Sequence, residues 1–173
     1  MKILGLMRHA KSDWSDGDTR DFDRGLNARG SKGARLMGDH IRNHGIKWDT
    51  LIASPAQRVK TTLEEALPDR EPSWDRRLYL AGTDTIMDVL HEATGKAVLI
   101  AAHNPGLGDM VLELVAPAHE NALFDEAKVK FPTASYAVFE LDIDDWAELG
   151  PECGKLVHFA RPRDLDPELG PES

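Results

Sequence analysis

The sequence predicts an α/β protein built as a three-layer α/β/α sandwich, with helices on both faces of a mainly parallel central sheet. Short apolar runs of strand length alternate with longer segments in which apolar residues recur every three or four positions. Polar side chains follow directly after three of those runs, as expected at the carboxyl ends of strands in an open α/β sheet.

Six apolar runs are interpreted as strands. The clearest is Ala-Val-Leu-Ile-Ala-Ala at residues 97–102, which follows a Thr-Gly-Lys turn signal. The last two runs are expected to form an antiparallel pair. The six runs cover residues 3–7, 49–53, 77–80, 97–102, 136–141 and 155–159.

Four segments between these runs have the apolar spacing of helices. The first ends at the stop signal Asn43-His44-Gly45, and the second has Ser54 as its cap with Pro55 in its first position. The four segments cover residues 34–41, 56–67, 86–93 and 107–115.

Length and composition limit the domain organisation and the classes of partner. A chain of 173 residues is about the length of one domain, so residues 1–163 are predicted to form a single domain. Residues 164–173 are rich in Pro, Gly and acidic residues, and they are expected to form a loosely ordered tail. The formal charge of -9 argues against nucleic-acid binding, which needs a basic face.

The same composition argues against a membrane or secreted protein. One cysteine cannot form an internal disulfide, and no apolar run approaches the roughly 18 residues of a membrane span. The apolar run at the N-terminus is too short for a signal peptide. We therefore expect a soluble cytoplasmic protein.

Polar residues that could bind phosphate follow three of the predicted strands. A lone histidine or arginine at a strand end is more often a surface or core residue, and a Ser-Pro pair is more often only a cap. Their coincidence at three strand ends is what favours a functional site, since arginine forks match phosphate oxygens and helix starts offer free backbone N–H groups. The residues concerned are Arg8 and His9, Ser54 and Arg58, and His103 and Asn104.

Five segments of the chain resemble motifs of the histidine phosphatase superfamily, which contains the phosphoglycerate mutases, and more narrowly those of SixA-type phosphohistidine phosphatases. The resemblance extends to about residue 163 and implies a phosphoglycerate mutase-like sandwich. The segments are 7–14 (Met-Arg-His-Ala-Lys-Ser-Asp-Trp), 23–30 (Asp-Arg-Gly-Leu-Asn-Ala-Arg-Gly), 54–62 (Ser-Pro-Ala-Gln-Arg-Val-Lys-Thr-Thr), 103–107 (His-Asn-Pro-Gly-Leu) and 131–134 (Phe-Pro-Thr-Ala).

Three positions depart from the superfamily pattern. Ala10 stands where the superfamily has Gly, as is common in the SixA branch, and Ala102 stands where a Gly usually precedes the second histidine. Both changes are small, so the site is expected to survive. Gly25 replaces a more frequent Pro, which loosens the loop that carries Arg24.

The resemblance implies that His9 is the nucleophile and becomes phosphorylated. Imidazole attacks only when neutral, and Arg8 and Arg58 disfavour a second positive charge on His9. These arginines and His103 would face the oxygens of the transferring phosphoryl group. We expect Arg24, Asn104 and Ser54 to bind substrate. No cofactor or metal is required, because the guanidinium groups supply positive charge.

The sequence clearly indicates neither a zinc site nor a general acid. His40 and His44 have the i, i+4 spacing of zinc ligands, but the helix offers no HExxH glutamate, so a solvated helix face is the better interpretation. No carboxylate lies in residues 78–82, where a general acid is expected, and Asp13, Asp23 and Asp84 are weak candidates. An imidazole leaves far more readily than an alkoxide, so a phosphoramidate substrate needs little help from an acid.

The favoured function is therefore a phosphatase acting on phosphohistidine in proteins. The alternatives are a small-molecule phosphomonoester phosphatase, a non-catalytic phosphate-binding domain and, least favoured, a mutase or a structural protein without a pocket. The expected partner is a phosphorylated protein or a small phosphorylated substrate, with no nucleic acid and no membrane. The oligomeric state is left open.

Overall fold

The computed structural model describes residues 1–170, and within them six strands form one mixed sheet in the order β3-β2-β4-β1-β5-β6. The strands are β1 (Lys2–Arg8), β2 (Thr50–Ala53), β3 (Ser73–Trp74), β4 (Ala97–Ala102), β5 (Tyr136–Leu141) and β6 (Gly154–Ala160). The helices are α1 (Ala28–His44), α2 (Gln57–Ala66), α3 (Thr83–His91), α4 (Gly106–Leu114), α5 (Ala122–Val129) and α6 (Pro162–Leu165).

Strand β1 lies in the interior of the sheet. It pairs parallel with β4 on one side and antiparallel with β5 on the other. Strands β2 and β3 continue the parallel part beyond β4, and β5 and β6 form the predicted antiparallel pair. The carboxyl ends of β1, β2 and β4 therefore meet at one edge of the sheet.

Helices cover both faces of the sheet, which gives the predicted three layers. On one face α1, α2 and the C-terminal segment pack over a core that includes Met37, Val59 and Leu99. On the other face α3, α4 and α5 pack over Leu4 and Ile100. Helix α1 ends as predicted, with Gly45 in the left-handed conformation at φ 83°. None of the helices in residues 1–170 has the length and apolar character needed to cross a membrane.

Two elements near the site differ from the sequence prediction. Residues 76–78 form a 3₁₀ turn rather than a strand, because the Asp75 carboxylate accepts a hydrogen bond from the Arg77 backbone N–H and turns the chain. Helix α2 begins at Gln57, two residues later than the predicted start at Pro55. The Ser54 hydroxyl accepts from the backbone N–H of Ala56 and contacts another strand end instead of capping a helix that starts at Pro55.

Helices α5 and α6 and the packing of the C-terminal residues were not predicted from the sequence. Helix α5 begins after Asn121, whose side chain accepts from the backbone N–H of Phe124, a cap that the sequence displays. Residues 164–170 do not form a loose tail. Leu169 is only 5% exposed, and the Arg29 guanidinium donates to the carbonyl groups of Glu168 and Gly170. Residues 171–173 of the expected tail lie outside the described residues.

Candidate active site

His9 lies directly beyond the carboxyl end of β1. Its backbone N–H donates to the Ala102 carbonyl at 3.2 Å, and its own carbonyl accepts from the Ala134 N–H at 2.9 Å. These two bonds fix the backbone of His9 between the end of β4 and the segment that precedes β5.

The imidazole of His9 is held as a neutral ring with a defined tautomer. Its Nδ1 lies 2.7 Å from the carbonyl oxygen of Ala10, which can only accept, so Nδ1 carries the proton and Nε2 carries the lone pair. Burial lowers the pKa of His9 to about 3, and the positive charges of Arg8 and Arg58 act in the same direction. Burial is thus a larger cause of neutrality than the arginines that sequence reasoning invoked.

His103 stands next to His9 and is oriented by Ser54. The two imidazole ring centroids are 5.3 Å apart, and Nε2 of His103 lies 2.7 Å from the Ser54 hydroxyl oxygen. The Ser54 hydroxyl also accepts from the Ala56 N–H and can donate its own proton to Nε2, and in that arrangement Nδ1 of His103 carries the ring proton. Burial, and next the charge of Arg58, lower the pKa of His103 to about 3.

Ser54 therefore has a different role from the expected one. Its side chain is fully buried and bonded to His103. It positions that histidine rather than contacting substrate.

Arg8 and Asn104 are held by one backbone carbonyl group. Nη1 of Arg8 and Nδ2 of Asn104 both donate to the Phe131 carbonyl oxygen, at 3.1 and 2.9 Å. The Asn104 side-chain oxygen accepts from the Gly108 N–H, so Asn104 also ties down the first turn of α4. Nε of Arg8 and Nδ1 of His103 are buried without a hydrogen-bond partner in residues 1–170.

Arg58 projects from the first turn of α2 and is held by Asp21. It donates from Nη1 to the Asp21 backbone carbonyl at 2.8 Å and from Nη2 to Asp21 Oδ2 at 3.1 Å. The Tyr79 hydroxyl donates to the same Oδ2 at 2.5 Å, and its ring is nearly perpendicular to the His103 imidazole, with the ring centroids 5.5 Å apart. Arg58 as a whole is only 5% exposed, so burial together with these bonds fixes the direction of its guanidinium group.

Thr62 joins α2 to the loop after β1. Its buried hydroxyl accepts from the Ala10 N–H at 2.9 Å and donates to the Arg58 carbonyl at 2.6 Å. One side chain thus couples the residue after His9 to the helical turn that carries Arg58.

The side chains from these strand ends surround one cavity of about 370 Å³. That volume suits a phosphoryl group together with part of its leaving group. The cavity is lined by Arg8, His9, Lys11, Ser12, Trp14, Asp21, Arg58, Asn104 and Thr133. The structure thus brings together Arg8, His9, Arg58, Asn104 and, beside His9, His103.

Arg24 does not line this cavity. Its guanidinium donates to the backbone carbonyl oxygens of Asp13, Asp16 and Thr19. The Cζ atom of Arg24 lies over the face of the Trp14 ring, 4.0 Å from the ring centroid. It is 5% exposed and fastens the loop between β1 and α1 from inside. The expected substrate contact is therefore replaced by a structural one, since its donors are directed at the loop's own carbonyl groups.

None of the three carboxylic acids considered as proton donors lines the cavity. Asp13 accepts from the Ser15 N–H, which is the main reason that its pKa is lowered. Asp23 pairs with Arg20 on the surface, and Asp84 lies in the exposed first turn of α3. Of the described residues that line the cavity, Asp21 alone has a carboxyl group.

His40 and His44 belong to a cluster on the opposite end of α1, together with His158 of β6. Nε2 of His40 lies 2.7 Å from Nε2 of His158, and the His44 ring stacks on His158 with centroids 4.1 Å apart. Within residues 1–170, no group of three or more His, Cys, Asp or Glu side chains is arranged to hold a metal ion.

Sequence reasoning missed Asp21, Tyr79 and Thr62. Thr62 lies inside a motif that was recognised, one turn after Arg58, and that spacing could have indicated a contact within the helix. Asp21 and Tyr79 come from separate loops and meet only in the folded chain.

Comparison with known proteins agrees with this geometry. Residues 4–81 match the model of the histidine phosphatase superfamily (branch 1). The uncharacterized protein Rv1276c of Mycobacterium tuberculosis is 31% identical over 160 residues, covering 91% of this chain and 100% of that protein.

Two solved structures share the fold over nearly the whole chain. One is from Nakamurella multipartitia and is assigned as the phosphohistidine phosphatase SixA. Its TM-score is 0.82 at 26% identity, covering 93% of this chain and 96% of that one. The other is the protein histidine phosphatase SixA complexed with tungstate, with a TM-score of 0.72 at 22% identity, covering 95% and 99%.

A sheet edge that places His9 and two arginines around one cavity, with a second histidine beside His9, is the arrangement of a histidine phosphatase, and the chain belongs to the histidine phosphatase superfamily. Within that superfamily it falls in the SixA-type branch.

Proposed function

We propose that this phosphatase removes the phosphoryl group from phosphohistidine in proteins, by way of a phosphohistidine formed on its own His9. The observation that carries the proposal is a buried, neutral His9 beside two arginines, in a cavity whose one described carboxyl group belongs to Asp21 and has a lowered pKa. The SixA-type relatives support the same substrate class.

In the first step, the lone pair of His9 Nε2 attacks phosphorus, and the bond between phosphorus and the substrate nitrogen breaks. The electron pair of that bond returns to the substrate imidazole. Arg8 and Arg58 stabilise the negative charge on the equatorial oxygens, which is where such transfers need most help. The Nδ1–H bond to the Ala10 carbonyl keeps the His9 ring in position throughout.

In the second step, water attacks the phosphorus of phosphorylated His9. The P–N bond breaks, its electron pair returns to Nε2, and phosphate is released. His103 lies beside the transferring group, and its free Nδ1 can donate to a phosphoryl oxygen.

The ionised state of Asp21 supports selectivity for N–P bonds. Its pKa is lowered, first by the hydrogen bond from Tyr79 and then by the charge of Arg58, so it holds no proton for a leaving oxygen at neutral pH. An alkoxide needs such a proton because it is about as basic as hydroxide, whereas an imidazole does not.

An open cavity mouth supports a protein substrate. Trp14 lies at the rim with 69% of its surface exposed, so a phosphorylated side chain that stands on a protein surface can reach the cavity from this side.

The test compares kcat/KM for three substrate classes with one enzyme preparation. We expect the highest value for a phosphohistidine protein or phosphoramidate, an intermediate value for para-nitrophenyl phosphate, and the lowest value for alkyl phosphates. Equal or faster turnover of alkyl phosphates would instead favour a small-molecule phosphomonoester phosphatase. Binding of phosphate without turnover of any substrate would leave only a phosphate-binding domain.

A further inference from the structure

Asp21 is an unusual residue to find in a phosphate-binding cavity. A carboxylate repels the phosphoryl oxygens that Arg8 and Arg58 attract, and Asp21 faces the same space. Its side chain is 44% exposed, so the cavity and the solvent reach it. We therefore expect the Asp21 carboxylate to have a function in the reaction that outweighs its repulsion of phosphate.

Holding Arg58 does not by itself explain this carboxylate. The backbone carbonyl of Asp21 already accepts from Arg58 Nη1 at 2.8 Å, and any residue at this position would supply that carbonyl. The carboxylate adds one further bond to Arg58, through Oδ2.

The two carboxylate oxygens of Asp21 have different surroundings. Oδ2 accepts from both Arg58 and the Tyr79 hydroxyl, which together fix the orientation of the carboxylate. No hydrogen bond from residues 1–170 reaches Oδ1. A carboxylate oxygen can accept further donors, so Oδ1 is available to a donor on the substrate.

We propose that Asp21 is a specificity-determining residue whose carboxylate binds the positively charged leaving group of a phosphoramidate. In phosphohistidine the donor would be the N–H of the ring nitrogen that is not bonded to phosphorus. This inference rests on the proposed function and names the feature of the substrate that the site recognises.

The contact would supply what the missing general acid supplies in other phosphatases. When His9 attacks phosphorus, the substrate ring leaves as neutral imidazole only if its far nitrogen already carries a proton, and otherwise it leaves as a much more basic anion. A carboxylate next to that N–H favours the protonated form, so the proton is present before the P–N bond breaks. The proton stays on the substrate, and no proton transfer from the enzyme is needed.

The decisive variant is Asp21→Asn, with Asp23→Asn as its matched control. Asparagine keeps the size of the side chain and an acceptor oxygen for Tyr79, but it removes the charge. Asp23 is two residues away, pairs with Arg20 and does not line the cavity. The measurements are kcat/KM and kcat for free phosphohistidine and for para-nitrophenyl phosphate, each from pH 5.5 to 9, because kcat reports ionisation of the bound substrate.

We expect Asp21→Asn to lower the ratio of the two kcat/KM values at least tenfold, whatever happens to the absolute rates. The pH at which kcat for phosphohistidine falls to half should also decrease by about one unit, because the bound substrate ring loses its proton more easily. Asp23→Asn should leave the ratio and the pH profile as in the wild type.

An equal loss for both substrates, with an unchanged pH profile, would mean that Asp21 only positions Arg58, and it would overturn the inference. The proposed function fails separately, when the wild-type enzyme itself shows no preference for phosphohistidine over para-nitrophenyl phosphate. A wild-type preference that survives intact in Asp21→Asn would keep the proposed function and reject the role of Asp21.

Discussion

Arg8, His9 and Arg58 are each held by a hydrogen bond to a backbone carbonyl group, so removing one of these side chains should change chemistry more than folding. We predict that His9→Ala abolishes turnover and leaves the midpoint of thermal unfolding within a few degrees of the wild type. His9 lies past the end of β1 and does not belong to the apolar core. Phosphatase rates and thermal unfolding of the same preparation check this. Retained activity would remove His9 from the nucleophile role.

Arg58→Ala is predicted to reduce kcat/KM roughly 10²–10³-fold, because one charged donor to the transferring phosphoryl group is lost. Lys60→Ala, two residues further along α2, is the matched control because the Lys60 ammonium lies over Trp74 and outside the cavity. A loss of similar size in both variants would show that the effect comes from α2 and not from the guanidinium.

Ser54 and Ser135 provide a second pair of residues for comparison, since both are fully buried. Ser54→Ala leaves the Ala56 N–H and His103 Nε2 without a partner, so we expect a loss of about 1–3 kcal/mol in unfolding free energy. We also expect the steady-state phosphatase rate to fall at least tenfold, because the tautomer of His103 is no longer fixed. The Ser135 hydroxyl has no partner in residues 1–170, so Ser135→Ala should affect neither quantity much. Denaturant unfolding and steady-state rates of both variants test this.

Sequence patterns located the residues at the strand ends but not their partners. Arg8, His9 and His103 follow apolar runs that could be recognised directly, and the sheet geometry then brings them together. The substrate contact expected for Arg24 is wrong, because its N–H groups donate to backbone carbonyl groups of the loop between β1 and α1. No local sequence pattern defines the path of that loop. Asp21 was missed because it reaches the cavity only through contacts with Arg58 and Tyr79.

Among the elements, α1 and α2 pack so closely that two glycines of α1 should respond in opposite ways to the same substitution. A Cβ on Gly38 would lie 2.0 Å from the Ala66 carbonyl oxygen, and backbone atoms cannot move aside cheaply. We predict that Gly38→Ala destabilises the protein by roughly 1–3 kcal/mol. Among residues 1–170, a Cβ on Gly33 meets only Pro162, at 3.8 Å, so Gly33→Ala should stabilise α1 by roughly 0.5–1 kcal/mol. Denaturant unfolding of both variants measures the sign of each change in unfolding free energy. A Gly38→Ala variant as stable as the wild type would contradict this close packing.

The histidine cluster between α1 and β6 should make stability depend on pH. Burial, with the charges of His44 and His40, lowers the pKa of His158 to about 4, against about 6.5 in the unfolded chain. As the pH falls from about 6.5 towards 4, the unfolded chain takes up protons that the folded chain does not, so the unfolding free energy decreases. His158→Gln should therefore have a shallower slope over this range. His119→Gln, at an exposed position, is the control, and equal slopes in both variants would contradict the prediction.

Secondary-structure elements with a strong apolar periodicity were predicted correctly. Elements and boundaries that depend on contacts formed only in the folded chain were not. The buried runs at β1 and β4 and the apolar face of α1 are defined by their own residues. The 3₁₀ turn at residues 76–78 depends on the Asp75 carboxylate, and the start of α2 depends on Ser54 bonding to His103. Neither contact leaves a periodic signal in the sequence.

At the scale of the whole molecule, residues 164–170 pack against the loop that follows His9. Leu169 lies beside Ala10 and Gly30 in a small cleft and is 5% exposed. We predict that Leu169→Ala lowers the unfolding free energy by roughly 2 kcal/mol or more. Leu112→Ala, at a residue that is 51% exposed, should change it by less than about 0.5 kcal/mol. Denaturant unfolding of the two variants checks this, and similar values would mean that the segment after α6 contributes little.

The interior position of β1 has a consequence for how slowly the site opens. Its backbone amides are bonded into the sheet from both sides, by β4 and by β5, and the chain reaches His9 straight from this strand. In deuterated water, the β1 amides should therefore be among the last to exchange their hydrogens, approaching the rate set by global unfolding. The loop between β1 and α1, held from inside by Arg24, should exchange much earlier. We therefore expect His9 to be attached to the slowest-opening part of the molecule, and the side of the cavity that carries Trp14 and Asp21 to a faster-opening part.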